Sequence, residues 1–505
     1  MKKTLLKTVT LGTNRFPYEN DDSFEGMPKK ENAEEQLLSD AAFHLFAQKA
    51  GKAHEPKKVD FIEACLPETK TYLSEEAMYF FRNADNDYFL NLFIELANKN
   101  NKIFPPTDLP NLINSAIKKN WTFNKIEDIA GERGKWLIGF NKKWEEAFGL
   151  LTEKDWETAK IEKRVRFLKQ LRATDLHKAR SLFQETASQE SVIDLTKLIA
   201  CFSIGLSEED EPILAPYRNH KRKSVRLTAL QLLFSIPNAA IIERYKEYSR
   251  PFLNIEKNKK AVVSLNTTLP KSISAAMEED GILEEYNIKG LGKKASILMQ
   301  LIGKIPPTYW QTEFNTSVKE LTLAAENDNY DEALLLGWSQ AAAHHKNIEW
   351  ASVLLESLTK IDTLFEKAHI FVLKSLVNLT PSEKIEEIIS NKLEETTYLQ
   401  HDNIGLVLMK MYDKELSSSL TLKFFNLLLN SLKVSEKAST YDFKIDILGQ
   451  LKTMVHLFPT KTLTTLKTQW LYTEIPPTNL NPVIEAISNL EFKQKMQAAI
   501  NNQSK

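Results

Sequence analysis

A chain of 505 residues with 66 basic and 67 acidic side chains carries a net charge of −1, so no global field draws it to nucleic acid or to an anionic membrane. Its 42% hydrophobic and 26% charged content is that of an ordinary globular protein. With only 15 glycines it is poorly supplied for phosphate loops and tight β-turns, which favours helices joined by short polar or proline-containing loops.

The first twenty residues begin with Lys2 and Lys3, as a signal peptide would, but Lys7, Thr8 and Thr10 interrupt the apolar run. They read as mature sequence. No window approaches about 20 uncharged apolar residues, so no membrane span is expected and the cytoplasm is the expected location. Cys65 and Cys201 both sit among apolar residues, which predicts two buried, reduced thiols.

Helical periodicity starts over 34–50, where Leu37, Leu38, Ala41, Ala42, Leu45 and Phe46 share a face and Gly51 ends the run. It recurs over 87–97 with Phe89, Leu90, Phe93, Ile94 and Ala97. Three corners repeat an apolar residue followed by Pro-Pro-Thr: Phe104 to Thr107, Ile305 to Thr308 and Ile475 to Thr478. Each predicts a rigid turn between antiparallel helices.

The pattern is densest over 156–248, as helices of about 8–15 residues with short connections, the spacing of paired-helix repeats. Gly205 to Pro237 forms one such unit. An acidic opening, Ser207 to Pro212, starts a short first helix, and a basic turn follows over 217–224. A second helix then carries Val225, Ala229, Leu232, Leu233 and Ile236 at helical spacing. One unit cannot bury its apolar face alone, so stacked neighbours are expected.

Residues 251–269 break the pattern: two apolar runs around the turn Glu256 to Lys260 read as a small β-hairpin or extended excursion. Helices resume at Lys271. The expected organisation is an N-terminal helical region 1–150, a repeat core 151–250, a hairpin or linker 251–270, and a C-terminal helical repeat region 271–505.

No segment carries a catalytic constellation. Gly131 to Trp136 contains Gly-Lys, but Ile129 stands where a phosphate loop needs its first Gly and Trp136 where it needs Ser or Thr. Gly290 to Lys294 fails similarly. His345 and Glu349 share a helix face, with His344 beside them, but two ligands are not a metal site and no His-Glu-x-x-His or Cys-x-x-Cys is present. The plainer expectation is a solvated end of the helix over 331–345. One basic cluster stands out: Arg218, His220, Lys221, Arg222, Lys223 and Arg226. It is the candidate binding turn, able to contact phosphates, although polar turns are common between repeat helices and the acidic run upstream would weaken its field.

Several of these segments carry a resemblance. Leu11 to Arg15, Gly131 to Leu137 with Asn141 and Trp144, the Gly205 to Pro237 unit, and Asp328 to Tyr330 leading into Leu334 to Trp338 together resemble a bacterial family of α-helical repeat proteins of unknown function. The resemblance covers nearly the whole chain. It implies a HEAT-like scaffold and carries over no functional residue. Members of the family are encoded near SWIM zinc-finger proteins, MoxR-like AAA ATPases and von Willebrand factor A proteins, which implies an adaptor in a chaperone-like assembly.

The expectation is therefore an all-α, HEAT-like solenoid, not an enzyme, with no cofactor, no metal and no membrane contact. It binds a protein partner, an AAA ATPase or zinc-finger protein by the resemblance alone. The alternative is a nucleic-acid-binding helical repeat that uses the turn 218–226.

Overall fold

The computed structural model describes residues 3–18, 29–49, 63–84, 86–119, 121, 123–149, 156, 158–257, 263–286, 288, 290–395, 399, 403–438, 451, 454–471 and 480–501. The chain is all-α: 71% of it is helical, and sheet is confined to two small pairs among the described residues. It divides into two compact units, Met1–Leu66 and Pro67–Lys505.

The smaller unit contains the helices Lys3–Leu11 and Ala33–Lys49. In the second of these the hydrogen-bonding face is the buried one. Asp40 accepts from Tyr18 Oη at 2.6 Å and from Gln36 Nε2 at 2.8 Å, while Gln36 Oε1 accepts from the Lys30 amide at 2.7 Å. Leu37 is buried, but Leu38, Leu45 and Phe46 of the expected core face are exposed. The helix forms as expected and its assignment to a core is corrected: polar bonds to Tyr18 and Lys30 turn the helix over. Gly51, expected to end it, lies outside the described residues. Cys65 is half-exposed rather than buried, on a segment without regular secondary structure whose neighbours are mostly exposed, whereas Cys201 is fully buried; both are free thiols. Burial pushes the Cys201 thiol up to about 11, so it is inert.

The larger unit holds two buried cores. The first gathers the helices Glu75–Arg82, Asp87–Lys99, Leu109–Lys118 and Phe123–Ile138 around Phe81, Phe93 and Phe104. Phe89, Leu90, Phe93, Ile94 and Ala97 are buried at the spacing the sequence predicts. The last helix, Leu480–Asn501, returns to this core with Met496, Ala499 and Ile500, and Phe492 stacks edge-on against Phe80 at 5.1 Å. The second core runs from Trp156 to Leu490. Residues 253–257 and 263–267 form the expected antiparallel hairpin, with Leu253 opposite Thr267; its tip, 258–262, is outside the described residues. Leu253 belongs to the buried core, which therefore continues past the hairpin.

Two helices of this core, Lys293–Ile302 and Asp331–His344, run parallel. Gly337 packs against Met299 and Ile302, Gly303 against Gln340, and His345 Nε2 lies 2.9 Å from the Lys304 carbonyl oxygen. Glycine at 337 is required by this approach: a methyl there would overlap the Ile302 side chain and lie 3.0 Å from the Met299 carbonyl. Two of the three proline corners are turns that precede helices, with Phe104 and Ile305 fully buried; the third lies outside the described residues.

Candidate partner-binding surface

The basic turn is positioned by a buried charge network. Arg172, on the helix Ile161–Thr174, grips Asp210 with two parallel bonds of 2.8 and 2.7 Å and donates to the carbonyls of Ile204 and Gly205, each at 2.9 Å. Its guanidinium lies 4.5 Å over the Phe202 ring. Arg180, on Leu176–Thr186, adds a 2.7 Å bond to the same carboxylate and a 2.8 Å bond to Ser207 Oγ. Burial alone would raise the Asp210 carboxyl, but the two guanidiniums and the Ser207 amide outweigh it and hold it below the usual carboxylate range.

Each acid of the opening has a structural partner. Glu208 accepts from Asn238 at 2.7 Å, Glu209 pairs with Arg180, Asp210 is shared between two arginines, and Glu211 accepts from the Ala240 amide at the start of the helix Ala240–Ser249 at 2.7 Å. The acidic run is thus tied to other partners and does not screen the turn by pairing with it.

The structure splits the six candidate residues. Arg218 points inward: its Nε lies 3.8 Å from Oδ1 of the fully buried Asp280, an ion pair too long for a hydrogen bond. Asp280 is held by Arg244 Nε at 2.7 Å and Tyr248 Oη at 2.9 Å, and its carbonyl accepts from Tyr245 at 3.0 Å. Arg226 donates to the His220 carbonyl at 3.0 Å, and His220 Nδ1 accepts from the Arg222 amide at 3.2 Å. These bonds fix the backbone of the turn. Lys221, Arg222 and Lys223 remain exposed, at the opening of the helix Lys223–Leu233. Sequence reasoning missed Arg172, Arg180, Arg244 and Asp280, because they lie on separate segments 30–70 residues from their partners and no local pattern links them.

Of two further segments, only the second departs from expectation. The Gly131 to Trp136 segment is an internal cap. Gly131 (φ 64°) breaks the helix Phe123–Ile138, and the freed amides of Glu132 and Arg133 donate to the Glu68 carboxylate at 3.1 and 2.8 Å. That carboxylate fills the space a Cβ at 131 would need, which is why glycine stands there.

The end of the helix Asp331–His344 is not solvated but partly buried. His344 Nε2 lies 3.3 Å from Ser235 Oγ, and Lys304 Nζ lies 5.3 Å from the centre of the Phe234 ring. Burial, with Lys304 and His345 beside it, pushes the His344 imidazole down to about 3. Burial likewise lowers His345 and Lys304. Glu349 is exposed, and no group of three metal-ligating side chains occurs among the described residues.

Gly290 to Lys294 lines a cavity of about 480 Å³ with Tyr330, Asp331 and Glu332, between the N-terminal ends of the two parallel helices. Lys293 pairs with Glu285 at 3.2 Å and Glu332 with Lys367, so its walls are close to charge balance. No described helix is long and apolar enough to cross a membrane.

These features define an all-α protein of packed helices that holds a cationic turn rigidly at its surface. The chain belongs to the family of unknown function DUF5691, whose model matches residues 4–500. No curated protein and no solved structure matches it.

Proposed function

We propose that the protein is a non-enzymatic, HEAT-like helical scaffold whose turn 217–224 docks a protein partner. The observation that carries this reading is the division of labour in the turn. His220 and Arg226 hold its backbone and Arg218 turns inward toward Asp280, while Lys221, Arg222 and Lys223 face solvent as a pre-set cationic row. A rigid surface loses little entropy on binding, and a cationic row complements an acidic protein surface. In this reading the partner is an AAA ATPase or a zinc-finger protein of a bacterial cytoplasmic assembly, as the family resemblance implies.

The nucleic-acid alternative is weakened by the same geometry. Nucleic-acid affinity rests on phosphate contacts by free cations, and two of the turn's arginines are already engaged. Tagged wild type and a Lys221→Glu/Arg222→Glu/Lys223→Glu variant, purified from the native cell, test the reading. A protein partner retained by the wild type and lost by the variant is the expected result. Nucleic acid that survives high-salt washes on the wild type, and is lost with the triple substitution, would replace it.

A further inference from the structure

The helix Ala33–Lys49 buries Gln36 and Asp40 and presents apolar residues to solvent. Leu38 is 70% exposed, Leu45 49% and Phe46 72%, and Ala42 is exposed beside them. The helix Lys3–Leu11 adds Leu6, Val9 and Leu11, each about half exposed. In the smaller unit Leu5 and Leu37 are the large aliphatic side chains that are buried among the described residues. A two-helix unit of this size gains little stability from so small a core, and covering its outward face would add to it.

The order of residues on that face indicates which cover. Glu35, Leu38, Ala42, Phe46 and Lys49 fall at successive steps of three, four, four and three residues, a coiled-coil spacing that keeps all five on one narrow stripe. The stripe reads the same in both directions about Ala42: acid and base at its ends, a large apolar residue inside each, and a small residue in the middle. All five side chains are exposed. Place a second copy of this helix antiparallel across a two-fold axis at Ala42. Glu35 of each copy then meets Lys49 of the other, Leu38 meets Phe46, and the two Ala42 residues let the backbones approach. Isologous pairing of this kind is the usual form of a two-fold homodimer. Two such two-helix units would complete a four-helix arrangement.

The apolar surface open in the smaller unit sets an upper bound on the apolar part of such a contact. A large side chain fully buried contributes roughly 150–250 Å², so the exposed fractions of Leu6, Val9, Leu11, Leu38, Phe43, Leu45 and Phe46 amount to roughly 600 Å² per copy. A standard interface needs about 800 Å² per partner including its polar rim. We propose that the chain is a homodimer joined by antiparallel self-pairing of the helix Ala33–Lys49 about Ala42. Under the scaffold reading this doubles the number of cationic turns per particle; the dimer itself does not depend on that reading.

The test is the solution mass of the full chain by light scattering or sedimentation, for wild type, Leu38→Asp/Phe46→Asp, Glu35→Lys, and Glu35→Lys/Lys49→Glu. The expected wild-type mass is twice that of one chain. The apolar-to-Asp variant should run at half the wild-type mass with unchanged far-UV circular dichroism. Glu35→Lys should weaken the dimer by about two- to fivefold, as for a partly exposed ion pair, and the double charge swap should restore it. A monomeric wild type, including one whose stripe is covered within its own chain or by another protein, overturns the proposal. So does a dimer indifferent to Leu38→Asp/Phe46→Asp, or a double swap that fails to rescue.

Discussion

In the helix Val192–Ala200 of the larger unit, Leu195, Leu198 and Ile199 are buried; in the helix Ala33–Lys49 of the smaller unit, Leu38, Leu45 and Phe46 stand in solvent while Gln36 and Asp40 are buried. The first is strongly amphipathic, whereas apolar residues are spread almost evenly around the second. They differ also in what each can reach. The first has apolar neighbours on both sides in its own chain, so its stripe becomes core. The second is anchored by Tyr18 and Lys30, which bond its polar face and leave the apolar stripe outward. Which face is buried therefore follows what the surrounding chain offers each helix.

The contrast predicts a large gap in mutational sensitivity between the units. Asp210→Ala should cost most, about 3–5 kcal/mol, because it strands Arg172 and Arg180 in a buried site. Thermal unfolding of the variant checks this, and a loss under 1 kcal/mol would mean the network is solvated. Leu233→Ala should cost about 2–5 kcal/mol, since Leu233 is buried in the same core; denaturant midpoints report it. Gly337→Ala should cost about 1–3 kcal/mol through overlap with Ile302, the reverse of the usual gain from alanine in a helix.

Acid should act on the larger unit through His344. Its folded imidazole titrates at about 3, against about 6.5 when unfolded. The unfolded chain thus takes up a proton first as the pH falls. The stability contributed by neutral His344 is complete above about pH 6.5 and is lost progressively toward pH 3. Melting temperatures at pH 7.5 and 5 should differ for wild type and converge in His344→Gln. The smallest effect belongs to the smaller unit: Leu38→Ser, measured at a dilution where self-association is absent, should change stability by no more than about 0.5 kcal/mol.

The sequence made the fold class legible because helix periodicity needs only near neighbours. Val225, Ala229, Leu232, Leu233 and Ile236 are buried as their spacing requires, and the hairpin strands fall at 253–257 and 263–267. The return of Leu480–Asn501 to the N-terminal core was not legible, since nothing local in Phe492 names Phe80 as its contact. The candidate turn was visible as a run of like charge, but its division into inward and outward residues was not. That division depends on Asp280, some 60 residues away, and on an acidic run whose charges are taken up by Arg172 and Arg180. His344 and His345 were misplaced for the same reason: the helix end expected in solvent meets Phe234, Ser235 and Lys304 from other elements.

The claim that the larger unit is covered by its own chain, and the smaller unit by a second copy, is tested most directly by hydrogen exchange of the full-length protein at two concentrations. Amides of Ala33–Lys49 should be protected at high concentration and exchange faster on dilution through the dimer's dissociation. Amides of Val192–Ala200 and Asp331–His344 should keep the same protection throughout. Equal protection of Ala33–Lys49 at every concentration, or concentration-dependent protection in the core helices, would contradict it.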